Sequence, residues 1–250
     1  MRKILVIVAM MMLVLSVAAA ASMIIPANDN AKENAGAPER SPAIGEGWDL
    51  ERVDFIHYAK PADSPASAQK PGSCYKLMGV KWPSLPVSYA INPTNPQGLA
   101  EEVLIPTIAA SAETWDAATS RELFSDTYTV DYAAQYGVQN YQNAIAFGPY
   151  SQSGVIAVTS VWYTRVGKRI VEFDMLFNTA YLWGDATLDL SVMDLANIAT
   201  HELGHSVGLA DIYTSTCGAV TMYGYSGYGE TSKRTLEQPD ITGLQQMYGI

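Results

Sequence analysis

Residues 191–211 read S-V-M-D-L-A-N-I-A-T-H-E-L-G-H-S-V-G-L-A-D, and no other stretch limits the chain's possible folds as tightly. At 100° per residue, Val192, Leu195, Ala199, Leu203 and Val207 fall on one side of a helix, while His201 and His205 lie nearly opposite. A helix is therefore expected over residues 190–209, one face packed on a core and the other presenting two imidazoles. Ser191 followed by Asp194 has the form of a capping box, which places the expected helix start at Ser191. Two histidines four apart stand about 6 Å along the axis and about 40° around it, so both rings reach one tetrahedral metal. Glu202 follows the first histidine directly, where a carboxylate can sit beside a water activated by the metal and accept its proton without ligating.

A third ligand must come from beyond the helix, and Gly208 supplies the break. On an unbroken helix Asp211 would point about 240° away from His205, but a chain that reverses at Gly208 brings its carboxylate back. Two histidines and one aspartate leave a fourth position open, the arrangement of a catalytic zinc site rather than a structural one closed by four protein ligands. With 3 His and 25 Asp+Glu in 250 residues, chance produces H-E-x-x-H with an expectation on the order of 0.4%.

At 48% hydrophobic and 16% charged residues, the chain has ample material for one buried core. Its net charge of -10 leaves no basic footprint for a nucleic-acid backbone, so nucleic acid is excluded as a partner. Arg2 and Lys3 precede an uncharged apolar run, and small residues follow at 18–21, the pattern of a secretory signal over residues 1–21. The apolar stretch 4–25 is also long enough for a retained anchor, the only case in which a membrane would be a partner. Either way the remainder lies outside the cytosol. Residues 22–72 are rich in Ala, Pro, Ser, Asn and Glu and read as a linker or pro-segment. One strand-like island at 53–58 could dock on the domain that follows. His57 within it is an isolated histidine, read as a surface or packing residue with no assigned function.

The domain is expected over residues 73–250. Strands are expected at 87–91, 128–132, 144–147, 155–163 and 169–177, with a turn at Val166-Gly-Lys between the last two. Helices are expected at 99–119, with Pro106 in or near its first turns, and at 239–248. Asp240 reads as the N-cap of the last helix. The order of elements suggests a mixed α/β (α+β) domain built on one twisted mixed sheet.

H-E-L-G-H-S-V-G-L-A-D resembles the metzincin zinc-protease signature, in which the usual third ligand is a histidine at the position of Asp211. An aspartate there is similar to the small secreted bacterial proteases of the snapalysin type. Val220-Thr-Met222-Tyr resembles the Met-turn, whose methionine forms an apolar floor under the metal. The ending from Leu236 to Gly249 is similar to the last helix of matrixins. The resemblance implies a metzincin-like zinc-protease domain with an active-site helix and a small C-terminal subdomain ending in a helix. It implies Zn2+ held by His201, His205 and Asp211, with Glu202 as general base, and protein or peptide substrates. An extended substrate would pair with an edge strand at about Ile156, Ala157, Val158 and Thr159. Tyr225 or Tyr228 would line a side-chain pocket. Some metzincins use a tyrosine two residues after the methionine, but position 224 is glycine and tyrosines stand at 223 and 225.

Glu172 and Asp174 could bind Ca2+, as acidic residues in matrixins do. Cys74 and Cys217 admit two readings: a disulfide tying the domain's start to the metal-bearing loop, or a switch in which the Cys74 thiolate occupies the open metal position. The expected activity is that of a secreted zinc endopeptidase. The other class considered is an extracellular binding or adhesion module on the same scaffold, with a structural or blocked metal.

Overall fold

The computed structural model describes residues 39–41, by backbone alone, together with 49–60 and 73–250. The expected signal at 1–21 lies outside the described residues, and no described helix is long and apolar enough to cross a membrane. In chain order the elements are β1 (Glu39–Ser41), β2 (Leu50–Ala59), β3 (Ala90–Ile91), α1 (Glu101–Asp116), β4 (Thr129–Val130), β5 (Ala144–Gly148), β6 (Val155–Thr164), β7 (Ile170–Asn178), β8 (Trp183–Gly184), β9 (Met193–Asp194), α2 (Leu195–Ser206), β10 (Tyr225–Ser226) and α3 (Gln238–Tyr248).

One mixed sheet runs in the order β1-β2-β6-β7-β5-β3-β4, with β10 also paired to β2. At its centre β6 reads V-I-A-V-T-S-V-W-Y-T, and all ten residues are buried. A near-continuous run of this kind fits a strand covered on both faces. On one face lie α1 and α2, whose Leu104, Ile108, Trp115, Ile198, Ala199 and Leu203 join Phe173, Met175 and Phe177 in the main core. On the other, Ile56, Val155 and Val158 form a smaller cluster flanked by Tyr58, Tyr136 and Tyr150. Pro106 lies inside α1 on its exposed side, so the carbonyl it deprives of a partner faces water.

The strand-like island expected at 53–58 extends to a ten-residue strand, β2, seated within the sheet. Charged residues interrupt its apolar pattern, and each has a specific partner. Arg52 Nε donates to Asp54 Oδ1 at 2.6 Å, its guanidinium lies 5.0 Å from the Trp162 ring, and Tyr163 donates to Glu51 Oε2 at 2.5 Å. The contacts to Trp162 and Tyr163 cross to β6, and with the Arg52–Asp54 pair along the strand they make charged residues compatible with a place inside the sheet. The strand expected at 128–132 shortens to two residues because the Asp131 carboxylate accepts from Ala133 N, an Asx turn that ends the pairing.

The expected free edge at 156–159 is not found. β2 pairs antiparallel with β6 along one side, matching Ile56 to Val158 and His57 to Ala157, while β7 occupies the other side.

Candidate metal centre

Helix α2 begins at Leu195 rather than Ser191. Asp194 is its N-cap and accepts from Asn197 N at 2.8 Å, whereas the Ser191 hydroxyl turns to Asp189. The same Asp194 carboxylate accepts from Ala186 N and from the Arg234 guanidinium, fixing the helix origin from two other segments. At the far end, carbonyls the helix leaves without internal partners are met from outside: Trp82 Nε1 donates to Ser206 O at 2.8 Å and Tyr248 OH to Val207 O at 2.9 Å. Trp115 Nε1 donates to Thr200 O, so α1 holds the middle.

Gly208 adopts φ of 102°, and an added Cβ would lie 2.5 Å from Val80 O. Only glycine makes this reversal without strain. Behind it, Ala210 N donates to Lys76 O and Ile212 N to Met222 O, so Asp211 is gripped on both sides. The chain does bring Asp211 back to the two histidines, as the spacing implied.

His201 Nε2 and His205 Nε2 stand 3.1 Å apart, and Asp211 Oδ1 lies 3.2 Å from the first and 3.4 Å from the second. Ligand atoms at tetrahedral angles around zinc are separated by about 3.3 Å. The hydrogen-bond pattern calls for a cation as well. His201 Nδ1 faces Thr221 O at 2.6 Å and His205 Nδ1 faces Leu209 O at 2.9 Å, and a carbonyl only accepts, so each neutral ring carries its proton on Nδ1. Both Nε2 lone pairs then converge on Asp211 Oδ1, a buried oxygen with no hydrogen-bond donor. His201, His205 and Asp211 thus form a metal-binding triad whose donor set fits zinc.

Glu202 is fully buried. Its Oε2 accepts from Thr159 Oγ1 at 2.6 Å, and its Oε1 lies 3.1 Å from His57 Nδ1. Burial pushes its carboxyl up to about 7. His57 is not a surface or simple packing residue. It is completely buried, its ring lies 4.0 Å from that of His201, and Phe55 on the same strand stacks on His205 at 4.1 Å.

Met222 is fully buried beneath the helix, where Gly204 makes room for it: a Cβ there would fall 2.3 Å from Met222 Sδ and 2.6 Å from the Trp115 ring. Asp240 is not an N-cap. Glu237 caps α3, Asp240 occupies the third helical position, and its carboxylate accepts from Thr221 N, Met222 N and Glu237 N. It therefore positions the turn whose Thr221 carbonyl orients His201. Tyr213 OH donates to Asp211 Oδ2 at 3.2 Å, and its ring packs on Tyr225. Burial, then Asp211, pushes the Tyr213 phenol far above the ordinary range, so it remains a donor. Sequence reading left His57 without a function, placed Thr159 only on a substrate-pairing edge, and passed over Tyr213. Tyr213 alone carried a local signal, standing two residues from a ligand.

Ile156, Ala157 and Val158 lie in β6 beside the centre, each fully buried and covered by β2, and Tyr225 in β10 pairs with Tyr58. Tyr228 stands farther out against Tyr181. Cys74 and Cys217 form a disulfide, which removes Cys74 from any role as a metal-blocking thiolate. Glu172 and Asp174 turn their carboxylates to amides at Gly137, Asn140, Tyr141 and Ala144, and neither belongs to a metal-binding cluster among the described residues.

Residues 81–249 match the family model for matrixins. The chain belongs to the matrixin family. This matrixin chain is 32% identical over 125 residues to the hatching enzyme of Paracentrotus lividus, an alignment covering 50% of the chain and 18% of the relative. It is 38% identical over 77 residues to human neutrophil collagenase, covering 31% and 15%, and 41% identical over 64 residues to stromelysin-1 of Equus caballus, covering 25% and 13%. The matches span less than a fifth of each of these relatives' lengths. His57 and all of β2 lie outside the matched residues.

Proposed function

We propose that the chain is a zinc-dependent endopeptidase that hydrolyses protein or peptide substrates outside the cytosol. The observation that carries this reading is the placement of the Glu202 carboxylate beside, and not within, a buried His/His/Asp triad. Zinc bound there lowers the pKa of water and polarises a carbonyl. Glu202 takes the proton from the attacking water and delivers it to the leaving amine nitrogen. Thr159 holds one carboxylate oxygen in place, and Tyr213 fixes Asp211 so that Oδ1 faces the metal. Where β2 is absent from its place, the peptide backbone would pair with β6 at Ile156 to Val158, with Tyr225 beside the side chain that follows the cut. The disulfide and the apolar N-terminal pattern support a location outside the reducing cytosol. No observation favours the binding-module alternative.

Because β2 covers the centre and pairs with β6 through its backbone, the test uses residues 73–250, which hold every matched matrixin residue, beside the full chain. Hydrolysis of an unfolded protein should stop with a chelator and return with zinc. Zinc-loaded chains of both kinds that leave the substrate intact would overturn the reading.

A further inference from the structure

Asp211 stands where the main core gives out. Leu209, Ala210 and Met222 belong to that core, but Ile212, Cys217 and Val220 between them form a small cluster of their own, with Cys74 and Tyr223 packed against it. From Asp211 to Val220 the chain forms no α-helix or strand. A cluster this small leaves the loop at the low end of local stability.

What borders Asp211 instead is the segment 74–78. Ala210 N donates to Lys76 O at 2.8 Å, Met78 N donates to Gly208 O at 2.9 Å, and Leu77 bridges Leu209 antiparallel. Beyond that bridge the segment has no regular structure. Tyr75 packs over Gly243 and its hydroxyl accepts from Gln246 Nε2, while Cys74 is tied to the ligand loop by its disulfide to Cys217. The histidines are held independently of this segment. Asp194 caps their helix, and Trp115, Trp82 and Tyr248 donate to the carbonyls of Thr200, Ser206 and Val207. Opening the disulfide therefore acts on the aspartate side of the triad.

We propose that the Cys74–Cys217 disulfide is a redox latch on the third metal ligand: oxidised, it clamps segment 74–78 on the Asp211 loop; reduced, it frees that loop, and the centre loses zinc affinity while the sheet and α2 stay folded. This rests on the reading of the triad as a zinc site. Cys217 is buried and Cys74 half-buried, so a thiol from solvent attacks the Cys74 sulfur. With a dithiol reductant a mixed disulfide forms there, and Cys217 leaves as a thiolate and takes up a proton. The second thiol of the reductant then displaces Cys74. Two electrons and two protons pass to the cystine, and the dithiol ends as a cyclic disulfide. The reverse exchange, with a disulfide-bearing oxidant, sets the latch. In a reducing compartment the chain would hold zinc weakly, and the centre would assemble after export to an oxidising one.

The test measures zinc affinity of the full chain by competition with a chromophoric chelator, before and after reduction, with far-ultraviolet circular dichroism on the same samples. A trialkylphosphine is the reductant, because it adds no zinc-binding thiol; it is oxidised to the phosphine oxide with oxygen from water as the cystine becomes two thiols. The Cys74→Ser/Cys217→Ser chain mimics the open latch without thiols that could bind zinc. Affinity in the double variant should be at least 10-fold weaker than in the oxidised wild type, with unchanged dichroism, and reduction should release zinc from the wild type at the same chelator concentration. In Asp211→Ala, whose ligand is already gone, reduction should change affinity less than 3-fold. Equal affinity in the oxidised wild type and the double variant would overturn the proposal. Loss of the helical signal on reduction or in the double variant would overturn it too, since the disulfide would then hold the whole fold. An oxidised wild type that binds no zinc would refute the zinc-site reading and the latch with it.

Discussion

Glu202 and His57 are 145 positions apart in sequence and 3.1 Å apart in space, with the imidazole Nδ1 against the carboxylate Oε1. The contact joins a strand outside the matched matrixin residues to the side chain assigned the proton transfer. It also makes the centre a four-sided enclosure, with α2 and the Gly208 loop supplying the ligands, β6 supplying Thr159 and β2 closing the remaining side.

The ligand loop separates two classes of contact by magnitude. Tyr213→Phe removes only the donor to Asp211 Oδ2, and should weaken zinc affinity roughly 10–100-fold, the usual effect of losing an outer hydrogen-bond partner. Asp211→Ala removes a ligand atom and should weaken it further still. Competition with a chelator of known affinity measures both, and equal affinities in wild type and Asp211→Ala would identify a different third ligand.

Gly204 sets how closely Met222 and Trp115 approach the histidine helix. Gly204→Ala places a Cβ inside both side chains, and overpacking of this kind costs about 1–3 kcal/mol. Urea unfolding should show that loss, and an unchanged midpoint would mean the floor under α2 is loose.

The disulfide closes a sequence separation of 143 residues and ties the domain's start to the loop between Asp211 and Met222. Replacing Cys74 and Cys217 together by serine should cost about 2–5 kcal/mol. Unfolding of the oxidised wild type against the double variant measures the difference, and coincident curves would contradict it.

Asp116, the last residue of α1, accepts from Leu123 N through Oδ1 while its buried Oδ2 has no partner. Burial pushes its carboxyl up to about 6. The folded chain therefore keeps this proton over a range where the unfolded chain has lost it, so the group's contribution is full below about pH 4 and is lost as pH rises to about 6. A negative charge at a helix C-terminus is unfavourable as well. Asp116→Asn keeps an oxygen for Leu123 N and should be more stable than wild type at pH 7 by about 1 kcal/mol, allowing for partial solvent screening. The gap should close near pH 4, and a gap independent of pH would contradict the assignment.

What the sequence made legible was local. His201, Glu202 and His205 sit on one helix, Gly208 and Asp211 follow within six residues, and helical periodicity with glycine's backbone freedom suffices to join them. β5, β6, β7, α1 and α3 were readable because their apolar patterns are long. Helix α2 was overextended at its start because Asp194, as N-cap, overrode the Ser191 capping pattern through contacts with Arg234 and Ala186. β2 was underread because Glu51, Arg52 and Asp54 look solvated until Tyr163, Ser160 and Trp162 are known to face them. With β2 underread, β6 passed for an edge and His57 for an isolated histidine. Asp240 had the composition of a cap, but its bonds to Thr221 and Met222 depend on where a turn 18 residues away folds back. Each of these misses involves a partner distant in sequence, where periodicity carries no information.

The most direct test of the central claim compares residues 73–250 with the same span carrying Glu202→Gln, with zinc content and hydrolysis of an unfolded protein measured on the same samples. The account predicts one zinc per chain in both and a roughly 10²–10⁴-fold lower rate in the Glu202→Gln variant. Equal rates at equal zinc content would contradict the assignment of Glu202 as the general base.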